Sequence, residues 1–154
     1  MAGHASHRDF TCARIGRCGY AVAVADQSFA FRFDPRYRIA ALPFGIWPSR
    51  CGVDVGSDRL TARFGPWRLE TALENVADVT VTGPYQFIKT AGAAHLSIAD
   101  RGLTFATNGD RGVCLQFRTP VPGIEPTGRL RHPSLTVTVA DCDGLAAAMR
   151  EHLA

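Results

Sequence analysis

Lysine is almost missing from this chain of 154 residues: Lys89 stands alone among 17 basic residues, and arginine supplies the rest. A skew of that kind is what a GC-rich coding genome produces, and the net charge is only +3. The arginines are dispersed, with no run or stripe suited to gripping phosphates, which argues against a nucleic-acid partner. Long apolar runs are missing too. No stretch approaches the ~18 consecutive apolar residues that a membrane-crossing helix requires. "YAVAVA", residues 20–25, is too short and too weakly flanked for a secretion signal. The expectation is a cytoplasmic protein without a transmembrane segment.

Paired cysteines are absent as well. Cys12, Cys18, Cys51, Cys114 and Cys142 are odd in number and scattered, which argues against an extracellular disulfide framework. No C-x-x-C pair occurs, and no Cys/His set has zinc-ligand spacing. Cys114 alternates with Val113 and Leu115 and reads as a buried, inert thiol. No Gly-rich phosphate loop links a strand to a helix, so a nucleotide-binding α/β fold is not expected. Catalytic motifs are equally lacking. There is no G-x-S-x-G elbow, and His95 and His132 have no carboxylate or nucleophile beside them in a recognisable motif. Asp100 and Asp110 fall at turns, where aspartate is favoured for backbone reasons. No catalytic residue, metal ligand or cofactor is expected.

What is present is a succession of short strands. Residues 1–27 lack clear periodicity and read as a loosely ordered leader with one short strand near 20–25, ahead of a single domain over 28–154. "SFAFRFD" sets Phe29, Phe31 and Phe33 on one face at period two. Pro35, Pro43 and Pro48 then interrupt any regular element. Further strands are expected at 52–55, 60–64, 67–71, 76–82, 85–89, 96–98, 103–107, 113–118 and 135–139. Gly65-Pro66, Gly83-Pro84 and Asn108-Gly109 supply turn signals between them. Asp141 is a natural N-cap for a helix whose apolar stripe is Leu145, Ala148, Met149 and Leu153. The expected fold is therefore all-β with a C-terminal helix: a small antiparallel barrel, or a bent two-sheet sandwich, capped by that helix.

Three stretches are candidate surfaces. In "DRLTARFGPWRLETALENV" (58–76), a two-residue type II′ turn at Gly65-Pro66 pairs Phe64 with Trp67 and Ala62 with Leu69, all inward. The outer face then carries Arg59, Arg63 and Arg68 with Glu70, a combination able to hold a phosphate or carboxylate or simply to stay solvated. "RTPVPGIEPTGRLRHP" (118–133) is long for an unstructured connection. Arg129, Arg131 and His132 cluster near its end and form a second anion or partner candidate; the other reading is a rigid cover over a sheet edge. "ALPFGIWP" places Phe44, Ile46 and Trp47 among prolines, either as an apolar contact for a partner or as core closure.

"LTARFGPWRLETALENVADVTVTG" and the terminal "LTVTVADCDGLAAAMREHL" together resemble the bacterial pleckstrin-homology-like domains, over about residues 28–153. The chain also resembles a group of actinobacterial proteins, a likeness that implies no function. Eukaryotic relatives of the fold often bind phosphoinositides through a lysine-rich first hairpin. That signature is missing here, so headgroup binding is not implied. The leading functional expectation is a non-enzymatic module that binds or scaffolds a protein or peptide. The alternatives are a small apolar ligand or lipid held in a barrel cavity lined by Phe29, Phe31, Trp67 and Phe105, and an enzyme of unknown chemistry.

Overall fold

The computed structural model describes residues 26–84, 95–96 and 101–153. Alternation of apolar and polar residues builds its first sheet. Strands β1 (Gln27–Ala30), β2 (Cys51–Val55), β3 (Arg59–Phe64) and β4 (Trp67–Ala72) form an antiparallel meander in chain order. The Gly65-Pro66 turn, with Gly65 at φ 60°, sets the β3–β4 register at Phe64↔Trp67, Arg63↔Arg68 and Ala62↔Leu69. This is the register the alternation predicts. Ala62, Phe64 and Leu69 are buried, but Trp67 is only half-buried.

The second sheet contains β5 (Val76–Thr82), β6 (His95–Leu96), β7 (Leu103–Phe105), β8 (Gly112–Pro122) and β9 (Arg131–Val137) in the order β5-β8-β9-β7-β6. Its β7–β9 pair is parallel, a departure from the all-antiparallel expectation. β8 runs four residues past the expected end at 118, and β9 begins four before 135. A register shift between Gln116 and Val121 lets the proline-bearing half of β8 rejoin β9 at Val121↔His132. Much of the segment read as a loop is strand. The expected strands at 20–25 and 85–89, and most of 96–98, lie outside the described residues, as does nearly all of the expected leader.

The barrel expectation is not met: among the described residues the two sheets do not pair into a closed ring, and the bent two-sheet alternative describes them better. The reason lies at the β4–β5 corner. A 3-10 turn, Leu73–Asn75, redirects the chain there. The Asn75 amide donates to the Thr119 carbonyl and accepts from the Thr119 N–H, at 2.9 and 2.8 Å. This clasp ties the start of β5 to β8 and leaves β4 with one neighbour among the described residues, β3. On the far side the sheets meet through an isolated Phe31↔Val139 bridge. Buried Thr107 and Asn108 reinforce that join by donating to the Arg32 carbonyl at 2.7 and 2.9 Å.

Between the sheets Phe31, Phe64 and Phe105 fill the centre, with the Phe64 and Phe105 rings 4.9 Å apart and nearly parallel. The C-terminal helix α2 (Cys142–Glu151) packs on β5 and β8. Asp141 caps it as expected, accepting from the Gly144 N–H at 2.8 Å, and Leu145, Ala146 and Met149 are fully buried.

A second helix was not expected. Helix α1 (Pro35–Ala41) starts on the proline read as a breaker, with the Asp34 carboxylate accepting from the Arg36 N–H. Pro43 and Pro48 likewise open 3-10 turns at Leu42–Phe44 and Pro48–Arg50. Proline lacks only an N–H that the first turn of a helix leaves unpaired anyway, so it starts helices as readily as it stops them. Among the described residues no helix is long and apolar enough to cross a membrane.

Candidate functional site: a groove along the β4 edge

The β3–β4 turn is held close to the chain before it. The Gly65 N–H donates to the Arg50 carbonyl at 3.1 Å, and a Cβ at Gly65 would lie 2.9 Å from the Ile46 side chain. Glycine is therefore required twice, for its positive φ and for this approach. Pinned this way, the hairpin carries Trp67, Arg68 and Glu70 along an edge that no strand covers among the described residues.

Arg63 and Arg68 stand opposite each other, as expected, but they do not share one counter-ion. Arg63 pairs with Asp54 of β2 at 2.7 Å, and Arg68 pairs with Glu70. Glu70 also accepts from the Thr61 hydroxyl at 3.3 Å. The hydrogen bond from Arg68, above all, holds the Glu70 carboxyl below its ordinary pKa, with Arg59 adding a smaller attraction. The proposed trio of Arg59, Arg63 and Arg68 is thus real as a face, but two of its members already have carboxylates. Asp54 was missed because it reaches Arg63 from a strand outside the hairpin.

The facing wall is the connection 123–130 between β8 and β9. Glu125 organises it, accepting from the Thr127 hydroxyl at 2.6 Å and from the Leu130 N–H at 2.5 Å. The Thr127 hydroxyl first, then the Leu130 and Arg129 N–H groups, keep the Glu125 carboxyl below its ordinary pKa. A carboxylate with a lowered folded-state pKa stabilises above its unfolded value, and that contribution is lost as pH falls through the folded one. Acidification should therefore release the connection only below the ordinary glutamate range. In an NMR titration the Leu130 amide proton should move with a midpoint lower than that of a free glutamate; a midpoint at or above it would contradict this bonding.

The predicted basic cluster in this connection does not form. His132 is fully buried, with Nδ1 3.1 Å from the Arg101 carbonyl and Nε2 without a hydrogen-bond partner among the described residues. Arg131 stays exposed and donates to the Pro120 carbonyl at 3.3 Å, and Arg129 is exposed. The two arginines therefore lie on the surface and the histidine in the core. A similar correction applies to the apolar candidates. Ile46 is fully buried beneath the hairpin turn, whereas Phe44 and Trp47 are 46% and 37% exposed. Ile39 and Leu42, at 73% and 52%, extend this apolar surface along α1. The Arg50 guanidinium lies 4.9 Å above the Trp47 ring.

Between the β4 edge and the connection runs an open groove of about 720 Å³, with Trp67, Arg68 and Glu70 on one wall and Pro122, Ile124 and Glu125 on the other. Across Trp67 it adjoins a second depression of about 330 Å³ lined by Arg50, Arg63 and Arg68. The hairpin and the Pro-rich connection, separate candidates in the sequence, thus face each other. No group of three or more His, Cys, Asp or Glu side chains is placed to hold a metal ion among the described residues. No protein-family model, curated protein or solved structure matches the chain.

Proposed function

We propose that this chain is a non-enzymatic binding module that takes a segment of a protein partner in the groove between β4 and the 123–130 connection. The observation carrying this reading is a partly exposed aromatic side chain, Trp67, in an open groove that also presents Pro122 and Ile124, beside an interior occupied by Phe31, Phe64 and Phe105. An interior occupied by these rings favours a surface groove over the apolar ligand or lipid of the barrel-cavity alternative. A shallow, open trough bordered by charge suits a peptide better than a compact metabolite, which needs enclosure on most sides. The bent pair of sheets and its terminal helix are in keeping with kinship to the bacterial pleckstrin-homology-like domains, and that kinship is part of the proposal. Cys51, Cys114 and Cys142 are free thiols, in keeping with a reducing, cytoplasmic setting.

The test is selection from a displayed library of random peptides, followed by affinity measurements on variants. Peptides enriched on the wild type should lose roughly tenfold or more in affinity with Trp67→Ser, since buried aromatics dominate such contacts. The double change Ile39→Ser with Leu42→Ser, on the α1 surface, should leave them bound. No enrichment at all, or a loss caused by the α1 variant instead, would overturn the reading.

A further inference from the structure

The hydrogen-bond parity of the hairpin determines what kind of segment the groove accepts. The Leu73 N–H donates to the Asp58 carbonyl at 2.9 Å, and the Gly56 N–H donates to the Arg59 carbonyl at 2.9 Å. With the β3–β4 register, these bonds direct the backbone groups of Trp67, Leu69 and Thr71 toward β3. The N–H and C=O groups of Arg68 and Glu70 must then point the other way, out of the sheet. β4 ends the order β1-β2-β3-β4, so no strand among the described residues receives them. Among the described residues no other hydrogen bond reaches these backbone groups, and both residues line the 720 Å³ groove.

Exposed edges of this sort invite pairing, and proteins usually blunt them with a bulge, a proline, an inward charge or a cover. β4 has a regular register over all its residues, Trp67–Ala72, with no bulge and no proline. Among the described residues the connection opposite makes no backbone hydrogen bond to this edge. It forms the far wall of the groove: donors and acceptors stand at alternate residues on the β4 side, and Pro122, Ile124 and Glu125 line the other.

Charge along the groove is uneven. At the Gly65 end Arg50, Arg63 and Arg68 line the smaller depression, and only Arg63 and Arg68 have carboxylate partners. Arg50 stacks on Trp47 and pairs with no carboxylate among the described residues. At the other end stand Glu70 and Glu125. The geometry points to strand addition: an extended segment of a partner protein pairs with the outward backbone of Arg68 and Glu70, seats apolar side chains against Trp67 and Ile124, and places an acidic residue beside Arg50. This rests on the peptide-binding reading above, and adds to it the binding mode and the chemistry of the partner.

Amide hydrogen exchange on the full chain tests it, first alone and then with the tightest peptide recovered from the selection. Alone, the Arg68 and Glu70 amides should exchange at least about tenfold faster than those of Leu69 and Thr71, which β3 holds. With peptide they should slow by roughly a hundredfold or more, while Leu69 and Thr71 stay unchanged. Glu70→Pro removes one outward N–H, a change an edge strand tolerates, and should abolish binding, whereas Glu70→Gln should keep it. Tight binding without new protection at Arg68 and Glu70, or binding that survives Glu70→Pro, would overturn strand addition and leave the peptide-binding reading intact. Protection in the chain alone that rises with protein concentration would assign the edge to a second copy and overturn the proposal. Failure of the selection would instead sink the peptide-binding reading, and strand addition with it.

Discussion

Phe64→Ala should lower stability by about 3–5 kcal/mol, the range for emptying a large aromatic site in a packed core. Phe64 is fully buried and joins both layers. Its ring lies 4.9 Å from Phe105 of β7, 5.6 Å from Phe31 and 6.3 Å from Trp67. At this chain length each kcal/mol moves the melting temperature by roughly 2–4 °C, so a fall of about 10 °C is expected. Trp67→Ala should fall short of that, because Trp67 is partly exposed and less apolar surface is lost. A double-mutant cycle of Phe64 with Phe105 should show coupling of about 0.5–1.5 kcal/mol. If Phe64→Ala costs less than Trp67→Ala in equilibrium denaturation, the two sheets are not joined through this stack.

Deleting the helix, from Asp141 onward, should have a still larger effect and abolish cooperative unfolding. Leu145, Ala146 and Met149 are wholly buried against β5 and β8. Arg150 reaches the Val79 carbonyl at 3.1 Å, and Arg111 grips Asp143 through two bonds at 3.0 and 2.8 Å. Removing the helix uncovers the inner sheet and leaves Arg111 unpaired. The shortened chain should bind an apolar dye and lack a sharp thermal transition, as expanded states with lost packing do. Leu145→Ala gives a milder check, with an expected cost of about 2–5 kcal/mol. A soluble 1–140 fragment with a sharp transition would show that the helix decorates the domain instead of completing it.

How much of this was legible in the residues depended on how far each cause acts along the chain. Alternation and a Gly-Pro turn act over a few positions, so the β3–β4 register could be read directly. The cap at Asp141 and the stripe of α2 are equally local. Helix α1 was also local, but Pro35 permits two outcomes, and only the Asp34 cap distinguishes them. The parallel β7–β9 pairing and the burial of His132 are set by strands distant in sequence. No pattern within one segment reports them. The groove belongs to this second group. Its walls were each noticed, but their meeting depends on the Asn75–Thr119 clasp, which leaves one edge of β4 without a strand among the described residues.

The place of β9 in its sheet has a consequence for how the chain is made. The first sheet is a plain meander over 27–72, and each of its strands finds its neighbour among residues synthesised just before it. The second sheet is assembled from the inside last, since β9 sits between β8 and β7 and follows every other described strand in the chain. Until residues 131–137 leave the ribosome, β7 has no partner on that side and β8 lacks one of its two. Domains whose pairings span long stretches of chain form slowly and expose unpaired strands while they wait. A nascent chain halted before Arg131 therefore presents a finished N-terminal sheet and a split C-terminal one, and the gap in it has the width of a single strand.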